Sequence, residues 1–353
     1  MTSSLTLLAG PDALRLIRER GLRADDIDVL PGASGGPKWL VLAGLDRVLF
    51  GEFLQGRTRP LHLIGSSIGS WRLACLAQKD PVAALERFAE AYIEQRYPPK
   101  PPPSLVSTTS QGILDRLLGP DGEEQILHHP WARLHVLTTR CRGLTASENS
   151  PVQMLGLALG ALGNLVSRRT LGLQMERVIF HGAGDTSPFT GLADLPSVHL
   201  PLTRENLRPA LLASGSIPLV LAGVRIPGAG SGVYRDGGVI DYHPDLEFGP
   251  GEGLVLYPHF YPYVVPGWFD KSLRWRRAGP ANFRRALLIS PSPELVARLP
   301  YGKIPDRDDF VRLPDDERLR AWRQVLAEGQ RMGDELRELL ATGKLAERIQ
   351  PLA

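Results

Sequence analysis

LHLIGSSIGSWRLACLAQ, residues 61–78, decides how the chain is read. Leu61–Ile64 has the apolar run of a short buried strand, and Ser70–Gln78 has the pattern of a helix. Between them stands Gly65-Ser66-Ser67-Ile68-Gly69, which fits G-x-S-x-G with Ser67 at its centre. A strand that reverses this sharply into a helix holds the central serine in a strained conformation with its hydroxyl exposed. Gly65 and Gly69 are expected there because a Cβ at either position would strike the neighbouring chain. The N-terminus of the helix, with unpaired N–H groups and the positive end of the dipole, faces the serine oxygen and favours a developing anion. Ser67 is the candidate nucleophile.

Upstream, Pro11–Arg20 reads as an amphipathic helix and Ile27–Leu30 as a buried strand. The strand ends in Pro31-Gly32-Ala33-Ser34-Gly35-Gly36-Pro37-Lys38, and Trp39–Phe53 reads as the next helix. Strand, loop, helix, strand, turn, helix is the alternation of a parallel sheet with right-handed crossovers. Catalytic groups belong at the carboxyl ends of such strands. The fold class predicted is α/β.

Downstream, Pro81–Tyr97 reads as a helix with proline in its first turn. The proline-rich run 98–103 can be neither helix nor central strand and is read as a stiff surface connection within one domain. Gln111–Leu118 is a short helix and Leu134–Thr138 a strand. Met154–Val166, MLGLALGALGNLV, is apolar nearly all round, and its three glycines invite close packing. The favoured expectation is a helix buried in the core; a lid or membrane-contacting helix beside the site is the alternative. Further strands are expected at Val178–Phe180, Val198–Leu200, Val233–Arg235, Leu254–Tyr257 and Ala286–Ile289, with helices at Leu207–Ser214 and Asp315–Leu340. The expectation is one domain over residues 1–353, its core at about 27–290 and a helical C-terminal segment at about 305–350.

Composition narrows the partners. The chain has 353 residues, 43% hydrophobic and 22% charged, enough for a substantial core. A net charge of +3 gives no strong pull toward nucleic acid. Cys75 and Cys141 suggest neither a metal cluster nor a disulfide framework, and a reducing, cytoplasmic setting fits. The N-terminus lacks the pattern of a signal peptide. Met154–Val166 is shorter than the roughly 20 residues that span a bilayer. Contact with a membrane is therefore expected to be peripheral.

Serine becomes a useful nucleophile only when a base takes its proton, and the tetrahedral intermediate needs donors for its oxyanion. The loop Gly32–Lys38 is the candidate for those donors, because Gly35 and Gly36 can turn their amides outward. The same loop nearly fits the phosphate-binding pattern G-x-x-x-x-G-K-[ST]. Pro37 replaces its second glycine, however, and Trp39 the metal-holding hydroxyl, so nucleotide binding is set aside. Two bases are open. Asp236, in Tyr234-Arg235-Asp236-Gly237-Gly238, could accept the proton directly once desolvation raises its pKa. A histidine backed by the aspartate is the other option: His243 and His259 follow Asp236 in the Ser, Asp, His order of α/β-hydrolases. His62, inside the buried strand, reads as a core residue.

Taken together, Gly35-Gly36-Pro37-Lys38, Gly65-x-Ser67-x-Gly69 and Asp236-Gly237-Gly238 resemble the patatin-like phospholipases. Ala213-Ser214-Gly215-Ser216-Ile217-Pro218 is similar to the stretch that precedes the family's aspartate. The resemblance spans about Ile27 to Pro244. It implies a three-layer α/β/α fold with a mostly parallel sheet. It also implies a dyad of Ser67 and Asp236 and an oxyanion hole of Gly35 and Gly36 amides, with Lys38, Gly65, Gly69, Gly237 and Gly238 in support. The implied activity is hydrolysis of lipid or other acyl esters with no metal or other cofactor. The chain departs from the family pattern at Ser34, where a loop glycine is usual, and at Lys38 and Trp39, where arginine and glycine are usual. Those departures motivate a second expectation, a lipid- or partner-binding relative without turnover.

Overall fold

A computed structural model describes residues 3–182 and 187–352. Among the described residues, ten strands form one sheet: β1 (Leu5–Ala9), β2 (Ile27–Gly32), β3 (Leu61–Ser66), β4 (Ala132–Cys141), β5 (Met175–His181), β6 (Ser197–Pro201), β7 (Val233–Asp236), β8 (Leu254–Pro258), β9 (Ala286–Pro291) and β10 (Gln350–Pro351). Their order is β10-β1-β9-β8-β2-β3-β4-β5-β6, with β7 paired to β4. The centre, β9-β8-β2-β3-β4, is parallel throughout. Antiparallel pairs join β1 to β9, and β4 to both β5 and β7. The central strands are buried apolar runs rather than alternating ones, as a sheet covered by helices on both faces requires. The architecture is the expected three-layer α/β/α arrangement.

The register on β4 positions everything that follows. Strand β3 runs parallel to β4 and ends with Ser66 opposite Leu137. Strand β7 takes over the same edge from the other direction, with Val233 opposite Cys141 and Asp236 opposite Thr138. Two strand ends from distant parts of the chain therefore meet head to head at adjacent residues of β4. Gly237 lets the chain leave at that junction, since a Cβ on it would lie 2.2 Å from the Leu137 carbonyl oxygen.

Several elements differ from the sequence expectation. The sheet extends beyond residues 27–290, because β1 and β10 come from the two ends of the chain, and one continuous hydrophobic core runs from Leu5 to Ile349. The expected helix at 39–53 is divided into a 3₁₀ segment (Gly36–Leu42), an α segment (Ala43–Val48) and a π turn (Leu49–Phe53). The expected short helix ending at Leu118 begins at Pro103, which takes the first helical position where a missing N–H costs nothing. The C-terminal helix runs Asp315–Thr342, with three acidic residues in its first turn and a left-handed glycine cap at Gly343.

The apolar helix is where the structure corrects the expectation most. It spans Ser150–Val166, started by the Asn149 side chain accepting from the Val152 amide at 3.2 Å. It does not lie in the core. Gly156 and Gly160 sit on the face turned to the protein, while Leu155, Leu159, Leu162 and Leu165 face outward. Among the described residues, no helix is long and apolar enough to cross a membrane.

A buried ion pair fastens the segment after β7. Arg177, fully buried on β5, makes a bidentate contact to the buried Asp241, with both distances at 2.7 Å, and also binds Asp194. Removing one partner of such a pair leaves a charge buried without compensation, at about 3–5 kcal/mol. Arg177→Met is predicted to lose about that much stability in urea unfolding at pH 7. A loss below about 1 kcal/mol would show that Asp241 finds water or another partner.

Candidate active site

The turn after β3 has the geometry its glycines suggest. Ser67 has φ 53° and ψ −133°, a region that residues with side chains rarely occupy and that costs on the order of 1–3 kcal/mol. A Cβ on Gly69 would stand 2.2 Å from the Gly32 carbonyl oxygen, so the turn can approach β2 this closely only with glycine there. The elbow is held by hydrogen bonds on both sides. The Ser67 amide donates to Ser214 Oγ at 2.9 Å, Ser70 Oγ donates to the Ser67 carbonyl at 2.7 Å, and Ser214 Oγ donates to the Leu137 carbonyl at 2.7 Å. Ser214 thus clamps the turn to β4.

Ser67 Oγ donates to Asp236 Oδ2 at 2.7 Å. The other carboxylate oxygen accepts from the Gly238 amide at 2.7 Å. The backbone of Asp236 is fixed as well: its amide donates to the Ser216 carbonyl at 2.9 Å, and its carbonyl accepts from Thr139 Oγ1 at 3.1 Å. Both side chains are buried, at 7% exposure for Ser67 and 6% for Asp236. Burial pushes the Asp236 carboxyl up to about 6. The Ser67 and Gly238 hydrogen bonds, with the charges of Arg307 and Lys271, work in the opposite direction.

A narrow pocket opens over this pair. It is lined by Ser34, Gly35, Gly36, Ser67, Ile217, Pro218, Asp236, Gly238, Val239, Tyr242, Trp268 and Arg307. Gly36 has φ +56°, a left-handed conformation natural to glycine, whereas Gly35 is extended. Gly35 is small because the Phe260 ring lies where a Cβ would go, 2.7 Å away. Among the described residues, neither the Gly35 nor the Gly36 amide donates a hydrogen bond. Ser34 Oγ pairs with Ser66 Oγ at 2.8 Å, and Ser66 Oγ donates to the Asp241 carbonyl at 2.5 Å. A hydroxyl where a family glycine is usual thereby ties the loop to β3 and to the Arg177–Asp241 pair.

The other expected residues fall outside the pocket lining. Lys38 is half-buried, and burial lowers its pKa while the nearby charge of Asp306 raises it. Trp39 is a core residue, stacked on Phe88 with ring centroids 4.4 Å apart. His243 and His259 are buried side by side, 4.3 Å between ring centroids. His243 Nδ1 accepts from the Val265 amide at 2.9 Å, and His259 Nδ1 lies 2.7 Å from the Tyr261 carbonyl oxygen and 2.9 Å from the Tyr261 amide nitrogen. Neither ring bonds to Ser67 or Asp236. Burial lowers the pKa of both, which keeps them neutral. Among the described residues, no group of His, Cys, Asp and Glu is arranged to hold a metal ion.

Some of the pocket could not be read as such from the sequence. Ser214 lies inside the stretch Ala213–Pro218, yet nothing local shows that its hydroxyl grips the Ser67 amide. Trp268 and Arg307 come from a region without recognisable motifs, and Leu219, beside the pocket, has the unusual φ of 67°.

The profile of the patatin-like phospholipase family matches residues 33–245. That stretch contains the elbow, the glycine loop and Asp236, and leaves out Trp268 and Arg307. Among curated proteins, none matches the chain.

Asp236 also makes a stability prediction. Its carboxyl has a pKa of about 6 when folded and about 3.9 when unfolded, so the fold favours the protonated form. The stabilisation is full below the unfolded value and is lost as pH rises through about 6. Asp236→Asn is therefore predicted to gain on the wild type between pH 4 and pH 8, by up to about 3 kcal/mol in chemical denaturation. A difference that stays flat over that range would mean the carboxylate is as comfortable folded as unfolded.

Proposed function

Because the chain belongs to the patatin-like phospholipase family, a family of lipid acyl hydrolases, we propose that it hydrolyses acyl esters through Ser67 and Asp236. The observation that carries the reading is the 2.7 Å hydrogen bond from the strained Ser67 hydroxyl to a buried carboxylate. Direct contact removes the need for a relay: the proton has one short path, and its acceptor sits closer to neutral pH than an ordinary aspartate.

The cycle begins as Ser67 Oγ attacks the ester carbonyl carbon and its proton passes to Asp236 Oδ2. The carbonyl oxygen becomes an oxyanion, held by the Gly35 and Gly36 amides and by the positive end of the helix Ile68–Leu76. Collapse breaks the ester C–O bond, and Asp236 returns the proton to the departing alcohol. Water then attacks the acyl-serine while Asp236 takes one of its protons. A second collapse releases the carboxylic acid and restores the Ser67 hydroxyl. Val239, Ile217, Pro218 and Trp268 give the pocket apolar walls.

The reading without turnover rested on Ser34, Lys38 and Trp39. Trp39 packs in the core, Lys38 lies outside the pocket lining and Ser34 Oγ bonds to Ser66 Oγ, so none of these departures interrupts the Ser67–Asp236 contact. The histidine-based reading is favoured by no contact to the pair.

Turnover of p-nitrophenyl butyrate tests the proposal. Ser67→Ala and Asp236→Ala should each lower kcat by about a thousandfold or more, while His243→Ala and His259→Ala, compared per folded molecule, should stay within about tenfold of wild type. Survival of Asp236→Ala with loss of a histidine variant would replace the dyad by a triad. A fluorophosphonate probe should label wild type at Ser67 and leave Ser67→Ala unlabelled; an unlabelled wild type would favour the reading without turnover.

A further inference from the structure

Among the described residues, nothing covers the outward face of the helix Ser150–Val166. No Asp, Glu, Lys or Arg occurs between Ser150 and Val166, so the water-facing side carries leucines where a surface helix carries charge. Leu155 is 55% exposed, Leu162 61%, Leu165 51% and Val166 83%. At helical spacing these residues share one broad arc, opposite the arc of Gln153, Gly156, Gly160 and Asn164 that packs on the protein. A contiguous apolar patch of this kind marks an interaction surface.

What surrounds the patch says what it meets. Arg276 Nη2 donates to the carbonyls of Asn164 and Leu165, at 3.0 and 3.4 Å, which brings the turn Arg274–Arg276 against the end of the helix. That turn presents Trp275, 73% exposed, between two arginines. Arg169 follows the helix and is exposed. None of Arg169, Arg274 and Arg276 has a carboxylate partner among the described residues. Leucines on one face, arginines at the rim and a tryptophan between them form the pattern of a helix lying at a lipid–water boundary. A second copy of the chain would bring the same unpaired arginines, whereas an anionic surface complements them.

The patch is also joined to the pocket. Gln153 Oε1 accepts from the Leu219 amide at 2.7 Å, next to Pro218 of the pocket wall. Leu157 packs in one cluster with Val239 and Trp268, both of which line the pocket. We propose that the helix Ser150–Val166, with its arginine rim, seats the protein on an anionic lipid membrane and so places the pocket at the lipid surface. The purpose of this docking rests on the hydrolase reading above; the binding itself does not.

The test is co-sedimentation of the full chain with vesicles of phosphatidylcholine and phosphatidylserine, and with phosphatidylcholine alone. Wild type should pellet with the mixed vesicles, and less in high salt or with the neutral ones. Leu159→Glu/Leu162→Glu should bind at least about tenfold more weakly with unchanged thermal unfolding, since both side chains are solvent-facing. Arg169→Glu/Arg274→Glu should lose the preference for phosphatidylserine. As an independent readout, brominated lipid should quench wild-type fluorescence more than that of Trp275→Phe. Wild type remaining in the supernatant, or the double leucine variant pelleting as wild type does, would overturn the proposal. So would self-association of wild type that this variant abolishes while neither binds vesicles. Vesicle binding by a wild type that does not turn over p-nitrophenyl butyrate would count against the hydrolase reading and leave the docking face standing.

Discussion

The structure depends on two strand ends sharing one edge of β4. Ser66 pairs with Leu137 from one direction and Asp236 with Thr138 from the other. Residues far apart in sequence are thereby fixed at adjacent register positions, and the hydroxyl and carboxylate that follow can hardly avoid each other. Geometry set by backbone ladders is stiff, which suits the proton transfer proposed for this 2.7 Å contact. The serine hydroxyl of Ser214 adds a cross-tie to the same point of β4.

That junction is costly in two ways, and the surroundings show how each cost is met. Ser67 occupies a backbone conformation that its side chain disfavours, and the turn is retained by hydrogen bonds to its amide and its carbonyl. Asp236 is a carboxylate out of water, and among the described residues only the Gly238 amide and the Ser67 hydroxyl bond to it directly. Its raised pKa is the residue of that incomplete compensation. A fully satisfied carboxylate would be a poorer base, so the same shortfall that weakens the fold would favour the proposed proton transfer. The neighbouring Asp241 makes the contrast plain: it has a bidentate arginine and serves as an anchor.

The sequence made some of this legible because it is local. Gly65 and Gly69 bracket Ser67 at a spacing that only a tight turn needs, and Gly237 and Gly238 mark a sharp exit from a strand. The glycine-rich loop announced itself in the same way. The position of Asp236 beside Ser67 was implied by resemblance, since no local pattern encodes a pairing across 169 residues. Strands β1 and β10 escaped notice because each is short and gains its place by pairing with a distant strand. Trp268 and Arg307 reach the pocket from a region with no motif at all. The helix Ser150–Val166 misled for a physical reason: apolar composition says that a surface avoids water, and cannot say whether protein or lipid covers it. Its glycines did mark close packing, but on the inward face alone.

The acid limb of the kcat/KM profile for a soluble ester tests the central claim most directly, because it reports the free enzyme's base. A directly bonded, buried aspartate predicts a single titration near pH 6, with kcat/KM falling about tenfold per pH unit below it, and no such limb in the residual activity of Asp236→Asn. A limb that persists in Asp236→Asn and disappears in His243→Ala or His259→Ala would contradict the account.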